Sequence, residues 1–306
     1  MSKLILILGG GGFIGGNLAR YFMEAGETVH IADIKYHEYY YSPAICHQYI
    51  FADLRIEREV RNIFETQYDE VYQLASDVGG AGYVFSGKND VNIMGNSAQI
   101  NINVATLFTE LQKGVLFFSS SSCAYPAPDS NYGMEKQFSE YLYTACRKQG
   151  MANIRIGRFQ NVYGTHDYIG GQHERFMTAI CRKISVAKNG DNIEIWGNGN
   201  QKRSFIYIDD CIKQIIELTR GENPEILNIG LEGKATINEV ARRLIEISGK
   251  KLSIKNLFGD DFYKKYGYIC PIGPADKELS QWNLAPISQL GLETTYKWVN
   301  RQLNGN

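Results

Sequence analysis

The sequence predicts an α/β fold: a doubly wound parallel sheet with helices on both faces, followed by a smaller α/β C-terminal domain. Three observations predict it. Short β-rich runs alternate with helical stretches through the first half of the 306 residues, the rhythm of parallel strands joined by crossover helices. A glycine-rich turn stands directly between the first strand and the first helix. After about residue 161 the alternation loosens, and Gly170, Gly171, Gly190, Gly197 and Gly199 mark loops.

Taken in order, Leu4–Leu8 is a short unbroken apolar run, the pattern of a strand buried on both faces. Residues 28–32, 70–74, 115–119 and 153–158 also read as buried strands. Helices are predicted over 14–25, 56–66, 92–112 and 132–149; in the first, Ile14, Leu18 and Phe22 recur every four residues along one face. Beyond residue 161 the pattern predicts a strand near 193–196, helices near 209–220 and 236–248, and a final amphipathic helix near 287–303. No linker of serine and glycine, low-complexity tract or repeat separates these parts. The expected division is therefore 1–160, joined by part of 205–230, and 161–306.

Composition excludes several function classes. With 44% hydrophobic and 21% charged residues the chain reads as an ordinary soluble globular protein, and a net charge of −1 gives no electrostatic reason to bind nucleic acid or an anionic membrane. The early apolar run is too short for a signal segment or a membrane span. The six cysteines (46, 123, 146, 181, 211 and 270) contain no Cys-x-x-Cys and no zinc-like pairing. They read as reduced, mostly buried thiols of a cytoplasmic protein with no metal site.

Gly9-Gly10-Gly11-Gly12-Phe13-Ile14-Gly15 follows a strand and opens a helix, the context that a dinucleotide-binding turn requires. Such a turn lets a pyrophosphate approach the backbone at the helix N-terminus. Asp33 ends the second strand about twenty residues on. A carboxylate there accepts both ribose hydroxyls and repels a 2′-phosphate, so NAD is expected rather than NADP, although Lys35 stands close by. Asp53 and Leu54 stand just before the helix predicted at 56–66 and either border the adenine or, in the case of Asp53, cap that helix.

Farther along, Tyr132-Gly133-Met134-Glu135-Lys136 sets a tyrosine and a lysine four residues apart on one helix face. An ammonium beside a phenol favours phenolate. Ser119-Ser120-Ser121-Ser122-Cys123-Ala124-Tyr125-Pro126, just upstream, adds a hydroxyl at Ser121 and a thiol at Cys123. A thiol with an ordinary pKa of about 8.5 needs only modest tuning to move a proton.

These residues resemble the extended short-chain dehydrogenase/reductase family of nucleotide-sugar-modifying enzymes, and within it the GDP-mannose 3,5-epimerase branch. The resemblance spans nearly the whole chain. It rests on the segment from Leu74-Ala75-Ser76-Asp77 to Gly79-Gly80-Ala81-Gly82-Tyr83, on the serine–cysteine segment, on Gly157-Arg158-Phe159-Gln160-Asn161-Val162-Tyr163-Gly164, and on Ile195-Trp196-Gly197-Asn198-Gly199 with Arg203-Ser204-Phe205. The resemblance implies a Rossmann-like NAD-binding domain and a smaller domain that holds the nucleotide sugar. NAD would be held by Gly9, Gly12, Phe13, Ile14, Gly15, Asp33, Asp53, Leu54, Leu74, Ala75, Tyr132 and Lys136. Asn96 would be the helix asparagine supporting the active-site backbone. Gly79, Gly80, Ser122, Asn161 and Arg203 would meet the substrate, a GDP-sugar in the first place. Ser121, Cys123, Tyr132 and Lys136 would be catalytic.

Three departures from that branch stand out. Gly170-Gly171-Gln172-His173-Glu174-Arg175-Phe176 lacks the lysine that serves there as the second acid/base. Arg175 stands in its place but stays protonated, so His173, whose imidazole ordinarily titrates at about 6.5, is the candidate replacement. The stretch from Pro126 to Asn131 is shorter than in relatives. Near Cys270–Lys277 the arginine that often contacts the diphosphate is missing, with Lys277 as a point-charge substitute.

The expected activity is therefore NAD-dependent epimerisation at C3 and/or C5 through a transient 4-keto sugar. A C4-dehydrogenase or 4-epimerase using Tyr132 without Cys123 is the alternative, and a non-catalytic nucleotide sensor is the alternative of another class. A 4,6-dehydratase is disfavoured, because Ser122 and Cys123 stand where that chemistry usually has an acidic pair. A homodimer is expected by family analogy through the helices at 92–112 and 132–149. Ile100, Val104, Leu107, Phe138, Tyr141 and Leu142 are the candidate contacts, and packing on the sheet is the competing explanation for the same residues.

Overall fold

The computed structural model describes residues 2–36, 45–128, 130–150, 152–222, 226–230, 233–261 and 287–305. The chain divides into two compact units: Met1–Asp77 with Asp90–Phe159 and Asp210–Ile229, and Val78–Asn89 with Gln160–Asp209 and Gly230–Asn306.

The first unit is built on a seven-stranded sheet. Its strands are β1 (Leu4–Leu8), β2 (Thr28–Asp33), β3 (Gln48–Phe51), β4 (Glu70–Gln73), β5 (Val115–Ser121), β6 (Asn153–Phe159) and a strand, Ile226–Ile229, contributed late in the chain. Every neighbouring pair is parallel, and the order runs Ile226–Ile229, β6, β5, β4, β1, β2, β3. The strand order reverses between β1 and β4, the place where open α/β sheets bind ligands at their carboxyl ends. The connecting helices are α1 (Phe13–Glu24), α2 (Glu57–Phe64), α4 (Asp90–Leu111) and α5 (Asn131–Lys148), with α3 (Ala81–Val84) a single turn between α2 and α4 in sequence.

Both sheet faces are covered, which is why β1 is apolar throughout. Leu6 and Leu8 join Val71, Leu116, Phe118, Ile154 and Ile156 under Val60, Phe64, Val104, Leu107, Phe108 and Tyr143 of α2, α4 and α5. Side chains alternate across a strand, so Ile5 and Ile7, also fully buried, face the opposite side. There the rings of Phe22, Tyr72, Phe117 and Phe159 form a row, tilted or stacked on one another, at centroid distances of 5.3, 6.0 and 6.0 Å.

The second unit carries the strands Asn161–Tyr163, Lys202–Tyr207 and Lys234–Thr236 in one mixed sheet and the parallel pair Asn192–Trp196 and Ser253–Leu257 in another. Three helices, Phe176–Val186, Ile237–Ser248 and Gln289–Asn304, close a core of Met177, Ile180, Ile184, Ile193, Ile195, Val240, Leu244, Leu292 and Val299. The helix Ile208–Arg220 leads the chain back towards the last strand of the first unit.

Val78–Asn89, placed by sequence in the first domain, clusters with the second unit. The Gly80 N–H donates to the Gln172 carbonyl at 2.9 Å, and the Val78 carbonyl accepts from His173 at 2.8 Å. These ties, one main-chain and one from a side chain, are invisible to hydropathy. Among the described residues no helix is long and apolar enough to cross a membrane, and no cluster of three or more His, Cys, Asp or Glu could hold a metal ion.

Candidate active site

The cofactor loop is shaped by close backbone packing. Gly9 sits at φ +82°, and a Cβ there would lie 2.7 Å from the Ala75 nitrogen, so only glycine fits between the ends of β1 and β4. A Cβ on Gly12, the residue before α1, would meet only the Gly9 carbonyl, at 3.2 Å, and no side chain caps that helix end. The loop thus offers backbone N–H groups and clear space at a helix N-terminus, a cradle that suits a pyrophosphate. Asp33 closes it: its Oδ2 accepts the Gly11 N–H at 2.9 Å and its Oδ1 the Lys35 N–H at 3.3 Å. Burial pushes the Asp33 carboxyl above its ordinary value, against the pull of those N–H groups and of Lys35.

Phe13 and Leu54 are buried in the core, so either can offer a ligand its backbone alone, and the Leu54 carbonyl already accepts from Asn103 at 3.0 Å. The Asp53 carboxylate is gripped by Arg55 through Nε at 2.9 Å and Nη2 at 2.6 Å. That hydrogen bonding holds it below the usual carboxylate range despite partial burial. At the end of β4 Leu74 donates to the Leu8 carbonyl at 3.0 Å, and Ala75 is held at both ends by the Gln73 amide, at 3.1 and 3.2 Å.

The serine, cysteine, tyrosine and lysine all belong to this unit. Ser121 ends β5, and its Oγ accepts the Cys123 N–H at 3.2 Å, opening a short 3-10 turn over Ser122–Ala124. This turn packs on the first turns of α5. The Cys123 carbonyl lies against Gly133, and the Ala124 carbonyl accepts from Gln137 at 3.1 Å. Ser130 caps α5 by accepting the Gly133 N–H at 3.1 Å. Lys136 Nζ stands 5.9 Å from the centre of the Tyr132 ring and donates to the Ser119 carbonyl at 3.3 Å. Burial pulls the Lys136 pKa down from its ordinary value, opposed by Glu135 and Glu140.

The buried stripe of α5 is polar: Glu135, Lys136, Ser139 and Glu140 all lie inside. Buried charge requires partners, and each carboxylate has them. Glu140 receives Arg158 through Nε at 2.7 Å and Nη2 at 2.6 Å and also the Ser120 hydroxyl. Arg158 in turn lies 4.4 Å from the centre of the Tyr125 ring. Glu135 Oε1 accepts from Asn101 at 3.1 Å and from Ser139 at 2.7 Å.

Asn101, not Asn96, is therefore the α4 asparagine wired into this centre. Its Oδ1 accepts from Gln73 at 3.0 Å and Tyr143 at 3.1 Å. Asn96 points elsewhere, donating to Asp77 at 2.7 Å and accepting from Arg55 at 3.1 Å. Sequence reasoning did not single out Gln73, Asn101, Glu135 or Glu140. For Asn101 the signal was a polar residue among the buried Ile93, Val104, Leu107 and Phe108 of α4.

The second unit holds the remaining candidates. His173 is half-buried between the rings of Tyr83 and Tyr168, at 5.8 and 5.5 Å. Its Nδ1 lies 2.8 Å from the Val78 carbonyl. A carbonyl only accepts, so Nδ1 carries the proton and the neutral ring keeps its lone pair on Nε2. Arg175 is committed to structure: its Nη1 meets Asp167 at 2.5 Å, and that fully buried carboxylate also accepts from Thr178 at 2.9 Å. Glu174 is held by Arg182 at 2.6 and 2.7 Å.

Gly79 and Gly80 have a local reason to be glycine. A Cβ on either would run into the backbone of residues 172–174, with the Glu174 carbonyl against Gly80. Asn161 donates its amide to the Ser204 carbonyl at 2.9 Å, and Arg203 Nη1 reaches the Lys202 carbonyl at 2.9 Å. Cys46, Cys146, Cys181 and Cys211 are free thiols, the last two buried, and burial raises the pKa of all four. Cys270 and Lys277 lie outside the described residues.

A glycine cradle at the switch point of a parallel sheet, with a tyrosine and a buried lysine one helical turn apart, defines a dinucleotide-dependent oxidoreductase-type site. Residues 5–230 match the NAD dependent epimerase/dehydratase family, and the chain belongs to it. It is an NAD-dependent enzyme of the extended short-chain dehydrogenase/reductase type. Over 325 residues it is 31% identical to the GDP-mannose 3,5-epimerase of Arabidopsis thaliana, spanning 98% of this chain and 82% of the relative. Among solved structures it resembles the UDP-glucose 4-epimerase of Thermotoga maritima with UDP-glucose, at TM-score 0.79 and 20% identity, covering 98% of this chain and all of that one. It also resembles the UDP-glucuronic acid 4-epimerase of Bacillus cereus in complex with UDP-glucuronic acid and NAD, at TM-score 0.78 and 22% identity, covering 98% and 99%.

Proposed function

We propose that this enzyme epimerises a nucleotide-diphosphate sugar at C3, C5 or both, through a transient 4-keto sugar, with GDP-mannose as the favoured substrate. The observation that carries the reading is the Cys123 turn seated on the helix turn that bears Tyr132. It brings a thiol-bearing segment to the helix turn whose tyrosine would take the proton of the C4 hydroxyl. The 31% identity to GDP-mannose 3,5-epimerases supports the same substrate class.

The chemistry that NAD supplies when bound is removal and return of hydride at the sugar's C4. The backbone of Gly9, Gly12, Phe13, Ile14 and Gly15 would hold its pyrophosphate and Asp33 a ribose, with Asp53, Leu54, Leu74 and Ala75 bordering it. Tyr132 Oη takes the proton from the C4 hydroxyl, with Ser121 Oγ sharing the hydrogen bond and Lys136 Nζ favouring the phenolate. The resulting ketone acidifies the C3 and C5 protons. Cys123 Sγ removes or returns one of them. His173 Nε2, the lone-pair nitrogen, is the second proton carrier in place of the missing lysine. Arg175 serves neither role, because Asp167 holds it. Asn161 and Arg203 would hold the diphosphate, and Gly79, Gly80 and Ser122 the sugar side.

Incubation with GDP-mannose and NAD in deuterium oxide tests the reading. Solvent deuterium at C3 or C5 of the recovered sugar supports it. Inversion at C4 with no deuterium at C3 or C5 would establish the 4-epimerase instead.

A homodimer belongs to the same proposal. Met134, Phe138 and Tyr141 are exposed and share one face of α5, whereas Val104 and Leu107 are buried in the core and Ile100 and Leu142 pack against it. The dimer contacts would thus be the exposed set, together with the exposed Ile102 of α4.

A further inference from the structure

Glu135 is 2% exposed, and only one of its oxygens is accounted for. Oε1 takes hydrogen bonds from Asn101 and Ser139, whereas Oε2 is buried with no hydrogen-bond partner. That oxygen faces Lys136 Nζ at 3.9 Å. An ionised carboxylate only accepts, so the Asn101 amide must turn its NH2 towards Glu135 and its oxygen towards Gln73. The hydrogen bonds from the Ala75 N–H to Gln73, from Gln73 to Asn101 and from Asn101 to Glu135 therefore share one direction.

Lys136 needs such a neighbour. Its ammonium carries three donors, yet it is 2% exposed and lies against the Phe118 ring at 5.3 Å. A buried ammonium without a counter-ion sheds its proton. The groups facing it are Tyr132, Glu135 and Glu140 on α5 and the Ser119 carbonyl on β5. Of the two carboxylates, Glu140 is already occupied by Arg158 of β6, in a bidentate pair. Glu135 is the one with an oxygen to spare.

We propose that Glu135 is a positioning residue: its spare oxygen is the counter-ion that keeps Lys136 charged and beside Tyr132, aimed by Asn101 and Ser139. The inference rests on the reading of Lys136 as the partner of Tyr132 and goes one residue further back. Glu135 touches neither the sugar nor the cofactor in this scheme; it acts through Lys136. Loss of its charge leaves the lysine neutral at working pH and the phenol without its cation.

The test reads Lys136 itself. The full-length protein is labelled with 13Cε-lysine, the Lys136 signal is assigned with Lys136→Met, and its titration midpoint is followed by NMR in the wild type and in Glu135→Gln. A charge removed from 3.9 Å shifts the midpoint by about 3 pH units at an effective dielectric of about 20, as an upper bound. The expected result is a fall of at least about one unit, with the alkaline limb of turnover moving down by the same amount. A smaller fall, or a rise, overturns the proposal. Should Glu135→Gln not fold, Glu135→Asp, which keeps the charge but withdraws it, is read with a threshold of about half a unit. The titration needs no substrate. A wild type without deuterium exchange into the sugar would sink the proposed function and leave this result standing, and the converse holds.

Discussion

Removing the Glu140 side chain will strongly destabilise the first unit. Glu140 is 3% exposed and holds Arg158 through two hydrogen bonds at 2.7 and 2.6 Å, with the Ser120 hydroxyl as a third donor. Glu140→Ala leaves a guanidinium whose side chain is only 13% exposed without its counter-ion and a buried hydroxyl without its acceptor. Breaking a buried ion pair from one side costs about 3–5 kcal/mol. For a unit of this size that lowers the melting temperature by about 6–20 °C. The strand end that carries Ser121 follows Ser120 directly, so turnover falls with stability.

Urea unfolding of the wild type, Glu140→Ala, Arg158→Met and the double mutant measures it. The double mutant removes both charges and should recover a large part of the single loss, a coupling of at least about 1.5 kcal/mol. A single-mutant loss below about 1 kcal/mol, or a double mutant that equals the sum of the singles, would refute the reasoning.

Tyr132→Phe should lower turnover by about 10²–10⁴-fold while NAD binding, followed by fluorescence, persists; retained turnover would remove Tyr132 from the chemistry. Gly80→Ala should destabilise the second unit by about 1–3 kcal/mol, because its methyl meets the Glu174 carbonyl. Gly95→Ala in α4, where nothing lies within 4 Å, should be neutral or slightly stabilising in the same thermal assay. Glu70 should make folding acid-sensitive. Burial raises its carboxyl, but hydrogen bonds from Arg220, Lys3 and Tyr72 outweigh that and hold it below the ordinary 4.5. Its contribution is therefore complete above the unfolded value and lost as pH falls through the folded one. Glu70→Gln should flatten the decline of melting temperature below about pH 4.5.

The parts of the fold legible in sequence were those with strong periodicity. β1, β2, β4, β5 and β6, and helices α1, α2, α4 and α5, lie within a residue or two of expectation. Phe176–Val186 escaped because its run of Met, Thr, Ala, Ile and Cys follows a glycine-rich loop without a helix-start signal, and Arg175 before it makes no capping hydrogen bond. The strands Asn161–Tyr163 and Lys234–Thr236 are three residues each, too short for alternation to show. They are strands because the neighbouring Lys202–Tyr207 pairs with both.

The candidate site divides in the same way. Spacing alone sets Tyr132 and Lys136 on one face, and a strand–glycine–helix order alone implies a dinucleotide cradle, because both are local consequences of backbone geometry. The partners of those residues are not local. Asn101 is 34 residues from Glu135, Arg158 is 18 from Glu140, and the Val78 carbonyl that sets the His173 tautomer is 95 away. Arg175 and His173 stand two apart in the chain, yet one is bound to a buried aspartate and the other keeps a free lone pair on Nε2. By itself the sequence determined which groups capable of chemistry are present and which faces they share. Tertiary packing decided which of them are paired, and hence which carry charge and can move a proton, since burial and hydrogen bonding depend on neighbours brought in from distant parts of the chain.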